Sequence, residues 1–200
     1  MPAGRPRAFD IDRALDQALK VFWRKGYEGA SLPELTKAMG INRPSLYAAF
    51  GNKESLFRMV LDRYAEGPAG HLCAALDQPT ARAAVEHFLQ ETIHLLTGPG
   101  SPRGCLIVQG ALACGDAAQS VRRACASRRS AAESLLRERF SKAIADGDLP
   151  ASSDAADLAR FIATIAHGMS VQAAGGAKRE ELQRVADLAL RTVFASPDAG

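Results

Sequence analysis

SLPELTKAMGINRPSLYAAFGNKESLF, residues 31–57, reads as two short helices joined by a tight turn and followed by the start of a third. Ser31 can cap the first helix, and Glu34, three residues on, can reach back to it in a capping box. Leu32, Leu35 and Met39 recur at helical spacing and give that helix one apolar face. Gly40 stands where a left-handed residue closes a helix, a conformation glycine takes without a Cβ penalty. Ile41 is apolar within the turn and anchors it inward. Asn42 is a good N-cap for the next helix, and Pro44 is tolerated in a first helical turn, where the missing N–H has no partner to lose. Leu46 and Phe50, four apart, face the core and leave Arg43, Ser45, Tyr47 and Ala48 outward.

The pattern is that of a helix-turn-helix whose second helix carries cationic, hydroxyl and small apolar groups near its N-terminus. Arginine bonds guanine bidentately, hydroxyls bond phosphate or bases, and small apolar groups touch thymine methyls, so these are the groups a helix needs in a major groove. The alternative is an ordinary αα-hairpin in a bundle, in which Arg43 and Tyr47 have no evident use. Residues 46–57, LYAAFGNKESLF, resemble the signature of the TetR/AcrR family of bacterial transcriptional regulators, Leu-Tyr-x-x-Phe followed by Lys-Glu and an apolar pair. Close matching covers roughly residues 5 to 64. The rest resembles the family only in length, helicity and layout.

Outside this stretch the sequence is helical throughout. Alanine and leucine are abundant and β-branched residues sparse, favouring helix. Hydrophobic residues make up 47% and charged residues 24%, a globular balance. The fold class expected is all-α: a three-helix head, a connector helix and a helical bundle. Helix one is expected from an Asp10 cap to Lys25, ended by Gly26, with Trp23 and Tyr27 packing across the head. Helices two, three and four are expected at 32–39, 43–49 and 53–66. Gly67-Pro68 and Gly70 then break the chain, and a short helical piece spans 71–76. Residues 80–97 form a helix, and 98–102 a loop with strong turn chemistry. Residues 104–114 are expected as an apolar, mostly buried helix. A long helix follows at about 117–145, with Leu135, Leu136, Phe140 and Ile144 inward and Arg122, Arg123, Arg128 and Arg129 on a solvated face. The last two helices fall at about 154–174 and 178–195. The domain division expected is 1–52 for arm and head, 53–66 as connector, and 67–200 for the second domain.

Charge placement supports a nucleic-acid partner for the head. Residues 1–66 hold 11 Lys/Arg against 8 Asp/Glu, while 67–200 hold 14 of each, so the net charge of +3 lies in the first segment. No apolar run approaches the roughly 20 residues of a membrane span, and the polar N-terminus does not read as a secretory signal. A cytoplasmic protein without a membrane partner is expected. None of the four cysteines forms a Cys-x-x-Cys pair, which argues against zinc-finger and thioredoxin-type motifs. His87 and His94 are seven apart, not the three or four that a helical metal pair wants. With no nucleophile elbow, phosphate loop or paired buried carboxylates, neither an enzyme nor a cofactor or metal site is expected.

On these readings the DNA-facing residues are Ser31, Asn42, Arg43, Pro44, Ser45, Tyr47 and Lys53. Arg43 reads bases, with Pro44 and Ser45 close to them, and Ser31 and Tyr47 hold phosphates. Lys53 opens the fourth helix, where a cation opposes the dipole and a phosphate would relieve it. The resemblance implies a backbone contact for it. Arg5 and Arg7 flank a proline and can enter a minor groove, or form an ordinary basic tail.

The resemblance further implies a homodimer, a double-stranded operator, and a small-molecule effector bound between the helices after the fourth. For the effector the expected wall is Phe57, Phe88, Ile93, Leu106 and Ile165, with Thr92, Gln109 and His167 as polar anchors and Cys105 beside them. The family's dimer is a four-helix bundle of the last two helices and their copies. The stripes offered for it are Leu158, Phe161, Ile162, Ile165 and Met169, and Leu182, Val185, Ala186, Leu188, Ala189 and Val193. The function expected is an effector-released regulator, most simply a repressor. An alternative runs through Cys105: a helix N-terminus stabilises a thiolate, and Gly104-Cys105-Leu106 resembles a TetR branch in which some members sense electrophiles or oxidants. The bland alternative for Cys105 is a small residue in helix packing.

Overall fold

A computed structural model describes residues 9–100, 102–112 and 114–194 of the chain. Arg5 and Arg7 lie outside the described residues. Every regular element among the described residues is helical.

Helix α1 (Ile11–Gly29) starts where the Asp10 carboxylate accepts from Arg13 N at 3.1 Å. Ala14, Leu15, Ala18, Leu19 and Phe22 form its buried stripe. The expected end at Lys25 coincides with a kink at Gly26, beyond which a short further turn runs to Gly29. Gly26 alone leaves helical geometry, at φ 68°. Packing explains the break: Tyr27 N turns to donate to Gly110 O at 2.7 Å, and a Cβ on residue 26 would stand 3.2 Å from that same oxygen. Helices α2 (Leu32–Met39), α3 (Arg43–Phe50) and α4 (Lys53–Glu66) fall within a residue of the predicted spans. The turn between α2 and α3 is closed by Gly40 at φ 68°.

After α4 come α5 (His71–Leu76), α6 (Ala81–Thr97), the single turn α7 (Leu106–Gln109), a short 3₁₀ turn Asp116–Ala118, and α8 (Gln119–Ala145). The chain ends in α9 (Ala155–Ala174) and α10 (Arg179–Val193). The expected helix over 104–114 is thus reduced to four residues. Gly104 holds φ 86°, outside any helix, and glycines at 104, 110 and 115 punctuate the segment. Its carbonyls are also drawn off the helical ladder: Trp23 Nε1 donates to Gly104 O at 2.7 Å, and Gly110 O receives Tyr27 N.

Two apolar cores result. The first joins α1–α4 through Leu19, Phe22, Leu35, Leu46, Phe50, Phe57 and Tyr64, and continues into Leu106, Cys114, Val121 and Cys125. The second joins α5, α6 and α8–α10 through residues such as Leu89, Ile93, Phe140, Ile162, Met169, Leu182 and Ala186. Leu135, expected inward, is exposed. Arg63 on α4 ties to Asp16 (2.9 Å) and Asp12 (3.2 Å) on α1, fixing the fourth helix against the first.

Candidate nucleic-acid interface

The turn chemistry that defines the head is present atom by atom. Ser31 Oγ accepts from Glu34 N at 3.3 Å, and Ser31 N donates to Glu34 Oε2 at 3.2 Å, a reciprocal capping box. Lys25 on α1 forms an ion pair with the same Glu34. Hydrogen bonding from Lys25 first, then from Ser31, draws the Glu34 carboxyl down to about 2. Asn42 Oδ1 accepts from Ser45 N at 2.9 Å and caps α3, and Asn52 Oδ1 accepts from Ser55 N at 2.8 Å and caps α4.

Leu46 and Phe50 lie in the head core, so α3 has one fixed rotation about its axis. That rotation leaves Asn42, Arg43, Pro44 and Tyr47 exposed and Ser45 half-exposed. Among the described residues neither the Arg43 guanidinium nor the Tyr47 hydroxyl has a hydrogen-bond or ion-pair partner, and Tyr47 is 48% exposed. Ser31 is exposed as well, but its hydroxyl is engaged in the cap. Lys53 differs from the free end charge its position suggests: its Nζ lies 4.6 Å from the centre of the Tyr27 ring. Burial lowers its pKa, and the Tyr27 face supplies part of the attraction that a phosphate would otherwise provide.

Behind the head, a cavity of about 120 Å³ opens among α5, α6, α8, α9 and the 105–108 segment. Of the residues expected to line it, Phe88, Thr92, Cys105 and His167 do. Phe57 is instead in the head core, where its ring packs edge-on to Phe22 at 5.0 Å. Leu106 points into that same core, and Ile93 is fully buried in the second one. Gln109 turns to Ser170 O at 3.5 Å, and Ile165 faces a separate groove between α9 and α10. Helical periodicity alone selects buried positions; it does not say which of two cores each one enters.

The residues missed are Arg128, Arg129 and His71, which also line the cavity. Both arginines are expected on a solvated face, yet both are half-buried: Arg128 pairs with Asp62 of α4, and Arg129 Nη1 donates to Ile107 O at 2.8 Å. No local signal marks them out, because neighbouring helical positions about 100° apart can both be exposed, and the groups that engage these two, Asp62 and Ile107 O, are remote in sequence. His71 Nε2 and Thr92 Oγ1 are 3.1 Å apart. Burial lowers the pKa of His71 and of His167, where Arg129 adds to the effect.

Cys105 is half-buried at the cavity wall, and its N–H donates to Ser170 Oγ at 2.8 Å. The helix behind it is one turn long, so the dipole argument for a stabilised thiolate loses most of its basis. Cys114 and Cys125 are buried, and burial pushes the Cys125 thiol up to about 11.

On α9 and α10 the two stripes divide. Ile162, Met169, Leu182, Ala186 and Ala189 are in the chain's own core, with Leu158, Ile165 and Val193 packed against it. Their spacing marks the inward face of each helix. Phe161 and Val185 are exposed, as is Leu188 (58%) of the same α10 stripe, in company with one residue not singled out from the sequence, Val171 (50%). No helix of the described residues is long and apolar enough to cross a membrane.

Comparison with known proteins gives one consistent result. A family model described as "Bacterial regulatory proteins, tetR family" matches residues 14–60. A second, "Tetracyclin repressor-like, C-terminal domain", matches residues 81–189. The chain is 36% identical over 190 residues to the HTH-type transcriptional repressor ComR of Escherichia coli (strain K12), covering 94% of this chain and 90% of that protein. It is 39% identical over 109 residues to the HTH-type transcriptional repressor BdcR of the same strain, covering 54% of this chain and 55% of BdcR. Among solved structures, a cysteine mutant of the TetR family transcriptional regulator CifR, complexed with 26bp double-strand operator DNA, is 48% identical with a TM-score of 0.91, covering 94% of this chain and 98% of that one.

Proposed function

This chain belongs to the TetR family of bacterial regulatory proteins, DNA-binding transcriptional regulators, and on that premise we propose that it acts in the cytoplasm as a homodimeric repressor released from its operator by a small molecule. The observation that carries the DNA reading is the outer face of α3. Its inner residues are locked in the core, and its outer arginine and tyrosine are left without partners among the described residues. In this reading Arg43 reads a base edge, Pro44 and Ser45 lie close to the bases, and Ser31, Asn42, Tyr47 and Lys53 fix register on phosphates. Arg5 and Arg7 add arm contacts. The CifR complex, bound to a double-stranded operator, supports the same use of the head.

The exposed apolar side chains of α9 and α10 support a two-fold dimer built on those helices, with Phe161, Val171, Val185 and Leu188 outward. Two heads would then meet half-sites about 34–36 Å apart. The proposed division keeps 1–52 as arm and head, 53–66 as connector and 67–200 as effector and dimer domain. Two connections from cavity to head are available: α4, through Asp62 and Arg128, and the 104–110 segment, whose carbonyls hold Trp23 and Tyr27 of α1. An effector shifts the balance of conformers only by its differential affinity for them.

A second reading, a thiol sensor, has one observation in its favour: Cys105 lines the cavity and is reached from it. Cys105→Ser separates the two, because it abolishes a response to electrophiles while sparing a reversible ligand. The primary test is a titration of the protein against its own upstream intergenic region and against random duplex, at two salt concentrations. Tight, salt-sensitive binding with preference for the upstream region is expected. A lack of preference at both salts, repeated on a pool of selected sequences, would remove the operator-binding reading.

A further inference from the structure

We propose that the cavity receives a small carboxylate with an apolar body about one ring in size, held by Arg128 and Arg129. The proposal rests on the effector reading and names the effector's chemical class. The size follows from the volume. At about 120 Å³ the space is close to the roughly 150 Å³ that takes benzene, and well short of a drug-sized site. The body follows from the walls, which include Leu72, Phe88, Leu96, Val108 and Leu136.

The charge follows from an imbalance of donors and acceptors. Arginine brings five N–H donors and no acceptor. Arg128 gives Nη2 to Asp62, but its Nε is buried with no acceptor among the described residues. Arg129 has no carboxylate within ion-pair distance among the described residues, and its one hydrogen bond goes from Nη1 to the carbonyl of Ile107. Two arginines and no carboxylate thus line the cavity; Asp62 meets Arg128 from the α4 side, outside that lining, and Glu91 and Glu133 act on His71 and His167 from beyond it. The two histidines do not add to the positive charge near neutral pH, since burial favours their neutral form; His71 is engaged with Thr92 and with the Pro68 backbone, which leaves His167 to bond a ligand oxygen. A planar carboxylate accepts two parallel bonds from a guanidinium fork, which a neutral amide or alcohol of equal size cannot do.

The position of these arginines gives such a ligand a reason to prefer one conformer. The Arg128 side chain is bonded to α4 through Asp62, and Arg129 to the 104–110 segment through Ile107 O. An anion between them competes for both guanidiniums, and so for both connections to the head.

The test uses the full chain and three probes in calorimetric titration: benzoate, benzamide as its neutral isostere, and acetate as the anion without a ring. Benzoate is expected to bind on the order of tenfold or more tighter than either. Arg129→Gln should bring benzoate down to the level of benzamide and leave benzamide unchanged, with Arg129→Lys, which keeps charge but loses the fork, falling between. The wild-type comparison needs no variant to fold. Equal binding of benzoate and benzamide, no saturable binding of benzoate, or an unchanged ratio in Arg129→Gln would each overturn the proposal. The operator titration is run on the same preparation. Operator preference without benzoate selectivity overturns the ligand class and leaves the regulator reading standing; benzoate selectivity without operator preference does the reverse.

Discussion

Helices α2 and α3 are each eight residues long, each is opened by a polar N-cap with a proline in its first turn, and each buries two side chains. They differ in what their polar groups do. On α2 the Ser31 and Glu34 side chains bond one another's backbone, Lys25 pairs with Glu34, and Thr36 Oγ1 returns to Leu32 O at 3.0 Å. On α3 only the Asn42 cap is engaged, and Arg43 and Tyr47 have no partner among the described residues. One helix directs its polar chemistry inward to its own stability, and the other keeps it available for something outside the chain. In a helix-turn-helix this division separates the helix that supports from the helix that reads.

The comparison can be broken at several levels. The two helices are alike in their anchors, so Leu35→Ala and Leu46→Ala, both fully buried in wild type, should cost similar amounts, about 2–5 kcal/mol each in chemical denaturation. A much smaller loss for Leu46→Ala would mean that α3 is not held at one rotation. Arg43→Ala sharpens the contrast. It should weaken operator binding by about 1–3 kcal/mol and relax one base position. Stability should stay within about 0.5 kcal/mol of wild type. Equal loss on operator and random duplex would take Arg43 out of base readout. Lys53→Ala, by comparison, should weaken all sequences alike and also lose some stability, because its ammonium packs on Tyr27.

Ser31→Ala has the opposite profile to Arg43→Ala. Loss of the capping box should cost about 1 kcal/mol of stability, and any effect on DNA should be uniform across sequences. The smallest effect is in acid. Glu34 has a folded pKa of about 2 against an ordinary value of 4.5, so its contribution is complete above pH 4.5 and disappears as the pH falls through about 2. The difference in melting temperature between wild type and Glu34→Gln should therefore shrink over that interval, measured by circular dichroism. A gap that holds constant to pH 2 would show that the pair with Lys25 and Ser31 is not the source.

The head was legible because its signals are local. A cap, a glycine and a four-residue apolar spacing each act within one turn of chain, and 31–57 contains all three. The cavity was legible only in part. Phe88, Thr92, Cys105 and His167 fell where expected, but Phe57 and Leu106 were drawn into the head core, because helix periodicity records burial and not the partner. The segment 104–114 failed for a different reason. Its apolar composition suits a helix, but two of its carbonyls are bonded to α1, by residues just over 80 positions away in sequence. Arg128 and Arg129 escape a local reading because the groups that engage them, Asp62 and Ile107 O, lie 66 and 22 positions away in sequence.

Trp23 is the only tryptophan in the chain, and it stands at the junction of these two parts. Its indole nitrogen bonds Gly104 O next to Cys105, and its ring meets Tyr64 edge-on at 4.8 Å. The molecule thus carries its own optical label at the point where cavity and head touch. Indole emission responds to loss of a hydrogen bond and to entry of water, so its colour and intensity report whether the 104–105 segment still grips α1. Occupancy of the cavity and release of the head can be followed on one unmodified sample, in one cuvette, without a dye.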